Sequence, residues 1–578
     1  MWQRLVIVGV TSATLLYGEE ESKLINAFIQ GNKIVETSAI ENALEIKRPK
    51  MLFFWRDKTP TINTKLIKII PVSLESFFRS EGFYEARFEI VQNDQNITIT
   101  IEENRPVKVK TVEVDSDFPI EELIRLKPKD IFRASNFTQT KADIIAQLLL
   151  KGYCSYDLDT KAYVDLEAYS AEVVYKLKKG DKCTFGDTNI KGLETIKPKV
   201  IHSRLQARKG SRFGTMQVHE MYERLNQLDA FDNIVIRVDR KFFNEIPIDI
   251  TLKEITKPYY FSGGIGYDTY VGPRVQAQLT KRNFLGNAQK LILTTSYSPK
   301  EQVVDIEFFK PAFLNWRHYF VDFGIKGGYS NLDFKEFTEE KLYVKGFLSY
   351  LYRRWDLQAG LGWEKLTITP QTGHTIPPQR LGDFTLLYPY FQAIYDARDD
   401  KLNPRFGYYL AGYLEYGLPC NTDASDYVKM LFEARRIYSF QAWTFSTVGK
   451  IGVVDEKSQS LPESKLFFGG GSFSNRAYGY NTLGVITSPK TYTKNGGLSW
   501  ANLSLEANFP LAGNWRGGVF NDNTMITPKT YDFNGEIIQT VGFGVRYMTP
   551  IGPLKIDIGA NVRDIKQQAM GFQIGQSF

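Results

Sequence analysis

The sequence predicts a multidomain chain in which three small α+β domains precede an antiparallel transmembrane β-barrel of about 16 strands. Three observations lead there. From about Lys257 to the end, apolar and polar residues alternate with a period of two, the pattern of a sheet with one face in lipid and the other on a polar lumen. Ahead of that point, a unit made of a strand, helical segments and a hairpin recurs three times. The composition carries 40 Phe, 32 Tyr, 8 Trp and 45 Gly at a mean hydropathy of −0.28. A barrel combines these because polar luminal side chains dilute its apolar outer face.

A chain of 578 residues is too long for one ordinary domain. Net charge is +7, from 72 Lys and Arg against 65 Asp and Glu, so nothing global points to nucleic acid. Residues 1–18 read as an export signal: Trp2-Gln3-Arg4 is a short positive region, Leu5 to Leu16 an apolar run, and Gly18 precedes Glu19-Glu20-Glu21. That run falls short of the roughly 20 residues a spanning helix needs. No later stretch reaches that length, so a membrane location requires a closed barrel.

The three cysteines, Cys154, Cys183 and Cys420, match no zinc spacing. Cys154 and Cys183 bracket a hairpin with its turn near Ala168-Tyr169, and equal arms would bring their sulfurs together as a disulfide.

In the first unit, residues 19–106, Leu24 to Gln30 is a strand ending at Gly31-Asn32. Helices are expected at Ser38 to Ile46 and Asn63 to Ser80, then strands at Tyr84 to Val91 and Ile97 to Glu102. The second unit, 107–181, opens at Val107-Lys108-Val109; its helix from Gln139 to Leu150 aligns Ile144, Ile145, Leu148 and Leu149, and its hairpin runs from Cys154 to about Lys179. The third, 182–257, opens at Phe185 to Leu193, carries a helix with Met221, Leu225 and Leu228 on one face, and ends in strands Asn233 to Asp239 and Ile246 to Ile255.

Residues 258–578 form the barrel. Ala501, Leu503, Leu505, Ala507 and Phe509 alternate with Asn502, Ser504, Glu506 and Asn508, and Leu554, Ile556, Ile558, Ala560 and Val562 with Lys555, Asp557, Gly559 and Asn561. Each run has the length of a tilted transmembrane strand. A soluble β-sandwich needs a two-sided core and does not usually show so many full-length alternating runs. Closure joins the first strand, about Tyr260 to Asp268, to the last, Gly571 to Phe578. Gly263, Gly264 and Gly266 either weaken that seam, for want of side-chain area to pack, or simply permit curvature.

With these motifs in place, the chain resembles the POTRA-plus-barrel assembly proteins of the bacterial outer membrane, whose branches include the BamA type, the TamA type and the two-partner secretion transporters. Phe468 to Tyr480 resembles the family's sixth extracellular loop, which folds back into the lumen with an arginine at its tip. The tip here is Arg476-Ala477-Tyr478-Gly479-Tyr480, with Ala477 where the family has glycine. Phe520-Asn521-Asp522 resembles the Phe-x-Asp strand motif whose aspartate faces that arginine; a bidentate carboxylate is the natural partner for a guanidinium in a lumen. Tyr395 to Asp400 with Pro404 and Gly407 is similar to a family strand-and-turn segment, and Thr549 to Asp557 to the penultimate hairpin. Met570, Phe572, Ile574 and Phe578 resemble the C-terminal signal by which barrels are themselves inserted, with Gln576 interrupting the apolar face.

The resemblance implies POTRA-like domains in the periplasm, a barrel in outer-membrane lipid, and insertion of client β-barrel proteins such as autotransporters through lateral opening of the seam. Three POTRA-like units look most like the TamA type, which implies a TamB-like partner anchored in the inner membrane. A polypeptide-exporting pore, a BamA-type general insertase and a component of a lipid-transport bridge are the alternatives. No nucleophile elbow, phosphate loop or metal-ligand spacing is present, so neither an enzyme nor a cofactor is expected.

Overall fold

The computed structural model describes residues 24–48, 59–93, 95–205, 208–238, 245–268, 271–316, 319–373, 375–401, 403–419, 426–458, 460–549 and 552–574. The export signal, Cys420, the hairpin tip at Pro550-Ile551, Gln576 and Phe578 lie outside the described residues.

The first domain contains β1 (Leu24–Gln30), α1 (Thr37–Ala43), β2 (Thr61–Asn63), α2 (Ile70–Ser80), β3 (Arg87–Gln92) and β4 (Asn96–Glu102). Its sheet has the order β2-β1-β4-β3, with β1 and β4 parallel. Ile25 and Ala27 of β1, Ile97, Ile99 and Ile101 of β4, and Ile70, Leu74 and Phe78 of α2 close one core. Each such side chain contributes roughly 1.5–3 kcal/mol by leaving water. The expected single helix from Asn63 is two elements: a 3₁₀ turn over Thr64–Ile69, then α2. The cause is Pro71, which lacks the N–H an uninterrupted helix would use and is suited to a first turn.

The second domain has β5 (Lys108–Ser116), α3 (Ala134–Leu150), β6 (Asp157–Asp165) and β7 (Ser170–Lys178), in the sheet order β5-β7-β6. Helix α3 begins five residues before Gln139. Its polar first turn carries no apolar periodicity, but Phe137 packs within 5.7 Å of the Tyr175 ring. Cys154 and Cys183 are joined by a disulfide, Cα to Cα 6.1 Å. The register places Tyr153 opposite Lys182, so Cys154 faces Asp181 and Cys183 lies two residues past that direct partner: the bridge is diagonal rather than between opposed positions.

The third domain has β8 (Thr184–Lys191), α4 (Pro198–His202), α5 (Thr215–Gln227), β9 (Phe231–Val238) and β10 (Glu245–Glu254), in the order β8-β10-β9. One device recurs in the first and third domains. Glu103 accepts hydrogen bonds from the backbone N–H groups of Lys33, Ile34 and Val35 at 2.8–3.1 Å. Glu254 does the same for Glu194, Thr195 and Ile196 at 2.8–3.2 Å. Burial pushes the Glu254 carboxyl up, but the Thr195 hydroxyl and these N–H groups outweigh it and hold the group below its ordinary range. Gly31 and Gly192 stand just before the two N–H triplets at φ +90° and +85°, each packed on a strand carbonyl, of Ile101 and Leu252 respectively. A Cβ there would collide, and L-residues disfavour that φ.

Among the described residues sixteen strands close a barrel. They are β11 (Tyr259–Asp268), β12 (Gly272–Lys281), β13 (Lys290–Ser298), β14 (Glu301–Trp316), β15 (Tyr319–Asp333) and β16 (Phe337–Tyr352). Next come β17 (Trp355–Pro370), β18 (Gly382–Asp396), β19 (Gly407–Pro419), β20 (Tyr427–Phe440) and β21 (Trp443–Glu456). The last are β22 (Ser499–Ala512), β23 (Trp515–Thr527), β24 (Ile538–Thr549), β25 (Gly552–Asn561) and β26 (Asp564–Ile574). The final strand therefore starts at Asp564 rather than Gly571. Its polar opening Lys566-Gln567-Gln568 hides the alternation, but Gln568 and Met570 pair with Ala560 and Ile558. Ile306, Leu342, Leu361, Phe432, Leu503, Phe543 and Ile556 are exposed on the outer surface, a girdle far larger than water tolerates and suited to lipid. No described helix is long and apolar enough to cross a membrane; the strands do so.

Side chains of the third domain reach the adjoining rim of the barrel. Arg204 donates to Asp322 Oδ2 at 2.7 Å with both groups buried. The other Asp322 oxygen accepts from the Ala312 N–H at 2.8 Å, inside the bulge where the β14–β15 register shifts between Lys310 and Leu314. Arg224 donates to the carbonyls of Leu351 and Arg353.

The disulfide closes a sequence separation of 29 residues, which in the chain-entropy model stabilises by about 3–4 kcal/mol. Replacing both Cys154 and Cys183 by Ser should therefore lower the urea midpoint for loss of protease resistance in the second domain while leaving heat resistance of the barrel unchanged. Equal midpoints in parent and variant would contradict this.

Candidate functional site

The chain between β21 and β22, residues 457–498, lies on the side of the barrel away from the third domain, because odd-numbered strands run outward from it. Instead of projecting, it turns into the lumen: Leu461, Leu466, Phe467, Tyr478, Leu483 and Ile486 are buried in one core with wall residues such as Phe337, Phe384, Tyr388 and Ile526.

At the tip, Arg476 is 8% exposed and Asp522 fully buried. Arg476 Nε and Nη2 each donate to a different oxygen of Asp522 at 2.9 Å, and its backbone N–H reaches Oδ2 at 3.1 Å. Phe520, two residues before Asp522 and so on the same face of β23, lies under the guanidinium with Cζ 3.4 Å from the ring centroid. The remaining Arg476 nitrogen, Nη1, bonds Glu506 Oε2 at 2.6 Å and approaches Asp557 Oδ2 at 3.4 Å. Arg546 Nη2 bridges the same two acids at 2.8 and 2.9 Å. Lys555 Nζ lies 3.1 Å from Asp557 and 3.5 Å from Glu506. Three cations and three carboxylates thus form one buried, neutral cluster on β22, β23, β24, β25 and the loop.

Charges removed from water cost several kcal/mol each unless paired and hydrogen-bonded. Here every cation meets more than one acid, or one acid at two oxygens. Tight fit supports the pairing. A Cβ at Gly559 of β25 would lie 2.7 Å from the Arg476 carbonyl oxygen, so only glycine lets the loop backbone sit against the wall. Asn475 is fully buried beside the arginine, accepting from Thr540 Oγ1 at 2.6 Å and donating to Thr524 Oγ1 at 3.2 Å.

The rest of the tip divides. Ala477 is buried and its carbonyl accepts from Gln567 of β26 at 2.9 Å. The Tyr478 hydroxyl accepts from Asn561 Nδ2 at 2.8 Å, and its ring stands edge-on to Tyr492. Gly479 leads on to Tyr480, which remains 46% exposed with the Arg274 guanidinium 5.9 Å from its ring centroid.

The seam is the other place of interest. Among the described residues, β11 pairs with β26 through Tyr267 opposite Phe572 and Asp268 opposite Gly571. By contrast, β16 and β17 are paired from Phe337–Pro370 to Tyr352–Trp355. Gly263 pairs with Ala277 of β12, Gly264 has open space where a side chain would be, and Gly266 faces the Phe572 carbonyl. Ile574 lies opposite Leu554 of β25. A cavity of about 220 Å³ lies here, lined in part by Gly264, Gly266, Tyr267, Phe572, Ser472 and Tyr480.

Sequence reasoning named Arg476, Phe520 and Asp522 but missed Glu506, Arg546, Lys555 and Asp557. Three of those four stood in view as the polar members of alternating runs. What the runs cannot give is the relative height of neighbouring strands, which is set by Glu506 opposite Phe520, Phe520 opposite Gly542 and Gly544 opposite Asp557. Among the described residues no cluster of three His, Cys, Asp or Glu could hold a metal.

A membrane barrel that carries an N-terminal row of small α+β domains and a loop pinned inside its lumen by a buried arginine defines an outer-membrane protein of the assembly and transport class. The Omp85 superfamily domain model matches residues 283–578, and the chain belongs to that superfamily. Its barrel lies in the outer membrane and its POTRA domains in the periplasm. It is similar to the outer membrane protein assembly factor BamA of Neisseria meningitidis serogroup B, at 20% identity over 97% of this chain and 78% of that one. It also matches BamA of Neorickettsia risticii at 25% identity, over 35% of this chain and 29% of the relative. The crystal structure of BamA from Haemophilus ducreyi lacking POTRA domains 1-3 superposes with a TM-score of 0.52 at 17% identity, covering 81% of this chain and 99% of that one. That likeness is one of fold.

Asp522→Asn should leave the guanidinium short of a negative charge in a buried site and cost about 3–5 kcal/mol. The measurement is the temperature at which the unboiled barrel loses its compact mobility on a denaturing gel, which should fall by several degrees. An unchanged transition would mean that the cluster does not hold the loop.

Proposed function

We propose that this chain inserts client β-barrel proteins, autotransporters among them, into the outer membrane by parting β11 from β26 and pairing the freed edge with a client strand. The short ladder at the seam carries this reading. Among the described residues it holds two paired positions, far fewer than the ladders on either side, and an unpaired strand edge is a template for another strand. The glycines of β11 add to the effect, since Gly264 offers no side chain to clamp a neighbour.

The periplasmic domains support the same reading, because β3 and β6 are sheet edges that extended polypeptide can join. With three such domains the chain fits the TamA type, which carries with it a TamB-like partner anchored in the inner membrane. The reading as a polypeptide-exporting pore draws less support: the folded-back loop and the inner wall share an apolar core at the outer end of the lumen, where the loop occupies space that a standing channel would need.

Cross-linking tests the seam directly. Tyr267→Cys and Phe572→Cys face one another in register, at the roughly 4.5–5.5 Å Cβ spacing of opposed strand residues, from which a small local shift reaches the roughly 3.5–4.5 Å that a disulfide spans. In vesicles carrying the double variant, client insertion should fall at least tenfold after oxidation and return on reduction. Each single-cysteine variant given the same reductant controls for the Cys154–Cys183 bond. Full insertion with the seam locked would refute the mechanism. Steady ion conductance together with undiminished client insertion on depletion would favour the pore.

A further inference from the structure

The loop that carries Arg476 has a second buried charge, eleven residues earlier and on different strands. Lys465 is 9% exposed. Its Nζ lies 2.8 Å from Glu364 Oε2 of β17 and 3.0 Å from Glu415 Oε1 of β19. Both carboxylates are almost fully buried. Tyrosines complete the cage: Tyr388 donates to Glu364, Tyr427 donates to Glu415, and Tyr413 donates to Glu415 Oε2 at 2.6 Å. The ammonium also stands over the Tyr388 ring, 4.5 Å from its centroid. Backbone is held as well, since Lys429 Nζ of β20 donates to the Lys465 carbonyl at 2.8 Å.

We propose that Lys465 is a second luminal anchor and that residues 465–476 act as a brace across the barrel, so that Lys465 is the positioning residue that keeps Arg476 aligned with Asp522. The physical ground is that one segment ends in two buried charges, each of which is stable only where its counter-charges are. The cage lies on β17 to β20 and the arginine cluster on β22 to β25. The second group of strands borders β26, and the Ala477 carbonyl accepts from Gln567 of that strand. A segment fixed at both ends transmits displacement from one wall to the other, whereas a segment fixed at the arginine alone does not. The brace deepens the assembly reading, because it links the seam-side wall to strands remote from the seam, but its geometry stands without that reading.

Spin-label distances in the full-length protein in nanodiscs test it, in a Cys420→Ser background with labels at Phe473→Cys on the loop and Tyr531→Cys beyond β23. Both positions are about half exposed. The parent should give one narrow distance distribution. Lys465→Met alone strands two carboxylates, so the informative variant is Lys465→Met/Glu364→Gln/Glu415→Gln, which removes the ammonium and both of its carboxylate partners together. Its distribution should at least double in width although the barrel keeps its compact gel mobility. Tyr413→Phe/Tyr427→Phe, a milder change that folds more safely, should broaden it by less. A parent-like narrow distribution in both variants would show that the Lys465 cage does not position the arginine and would overturn the brace. Broadening supports the brace whether or not client insertion changes; client insertion measured in the same samples speaks separately to the assembly reading.

Discussion

The buried six-charge cluster around Arg476 is the constraint on which the outer half of the barrel depends. Three positive and three negative groups stand within hydrogen-bonding reach of one another in a buried site. Such a set is tolerable only if complete, because each member is the solvation of its neighbours. Completeness in turn demands that β22, β23, β24 and β25 hold one register, since a slip by one residue would turn every luminal charge into the lipid. It also demands that a loop of some forty residues enter the lumen rather than extend into solvent. Gly559 is required for the same reason, as the place where loop backbone meets strand backbone.

Against that rigid sector stands the seam, where the ladder of described residues shrinks to Tyr267–Phe572 and Asp268–Gly571. The two regions are neighbours: β25 holds Lys555 and Asp557, and β26 follows it. A barrel with a tightly specified wall beside a sparsely bonded closure concentrates its capacity to open at one line and protects the remaining fifteen strand pairs. The apolar core of the loop adds to this by filling the lumen, so that the sheet is supported from within where it is not being opened.

Most of the architecture was legible because each local signal agreed with the global fold. Period-two alternation located strands such as β22 and β25 to within a few residues, and a polar residue or glycine at every second position marked the luminal face. Phe520 and Asp522 were readable as a pair because two residues apart in a strand means one face. Glu506, Arg546, Lys555 and Asp557 were not assigned to the site because their meeting depends on registers between strands up to fifty residues apart in sequence. Lys465 was hidden for a stronger reason: nothing near it in the chain announces Glu364 or Glu415, which lie 101 and 50 positions upstream. In the soluble domains, the break at Pro71 was present in the sequence but was overridden by the helical pattern on either side. The early start of α3 escaped because its first turn is mostly polar and is held by the packing of its Phe137 on Tyr175 of β7.

The carboxylate that gathers three successive N–H groups in the first and third periplasmic domains has an implication for how such an arm is built. In both, the acid ends or follows the last strand and the N–H triplet follows the first. The second domain uses the converse arrangement, Asp117 after its first strand receiving the N–H of Lys179 after its last. The acid and the N–H groups it gathers lie within one domain in each case, although in the third Thr195 also accepts from Asn283 of the barrel at 2.8 Å. Units fastened in this way carry their own closure, so that descent by duplication or loss can lengthen or shorten the arm by whole modules without undoing the clasp of any module that remains.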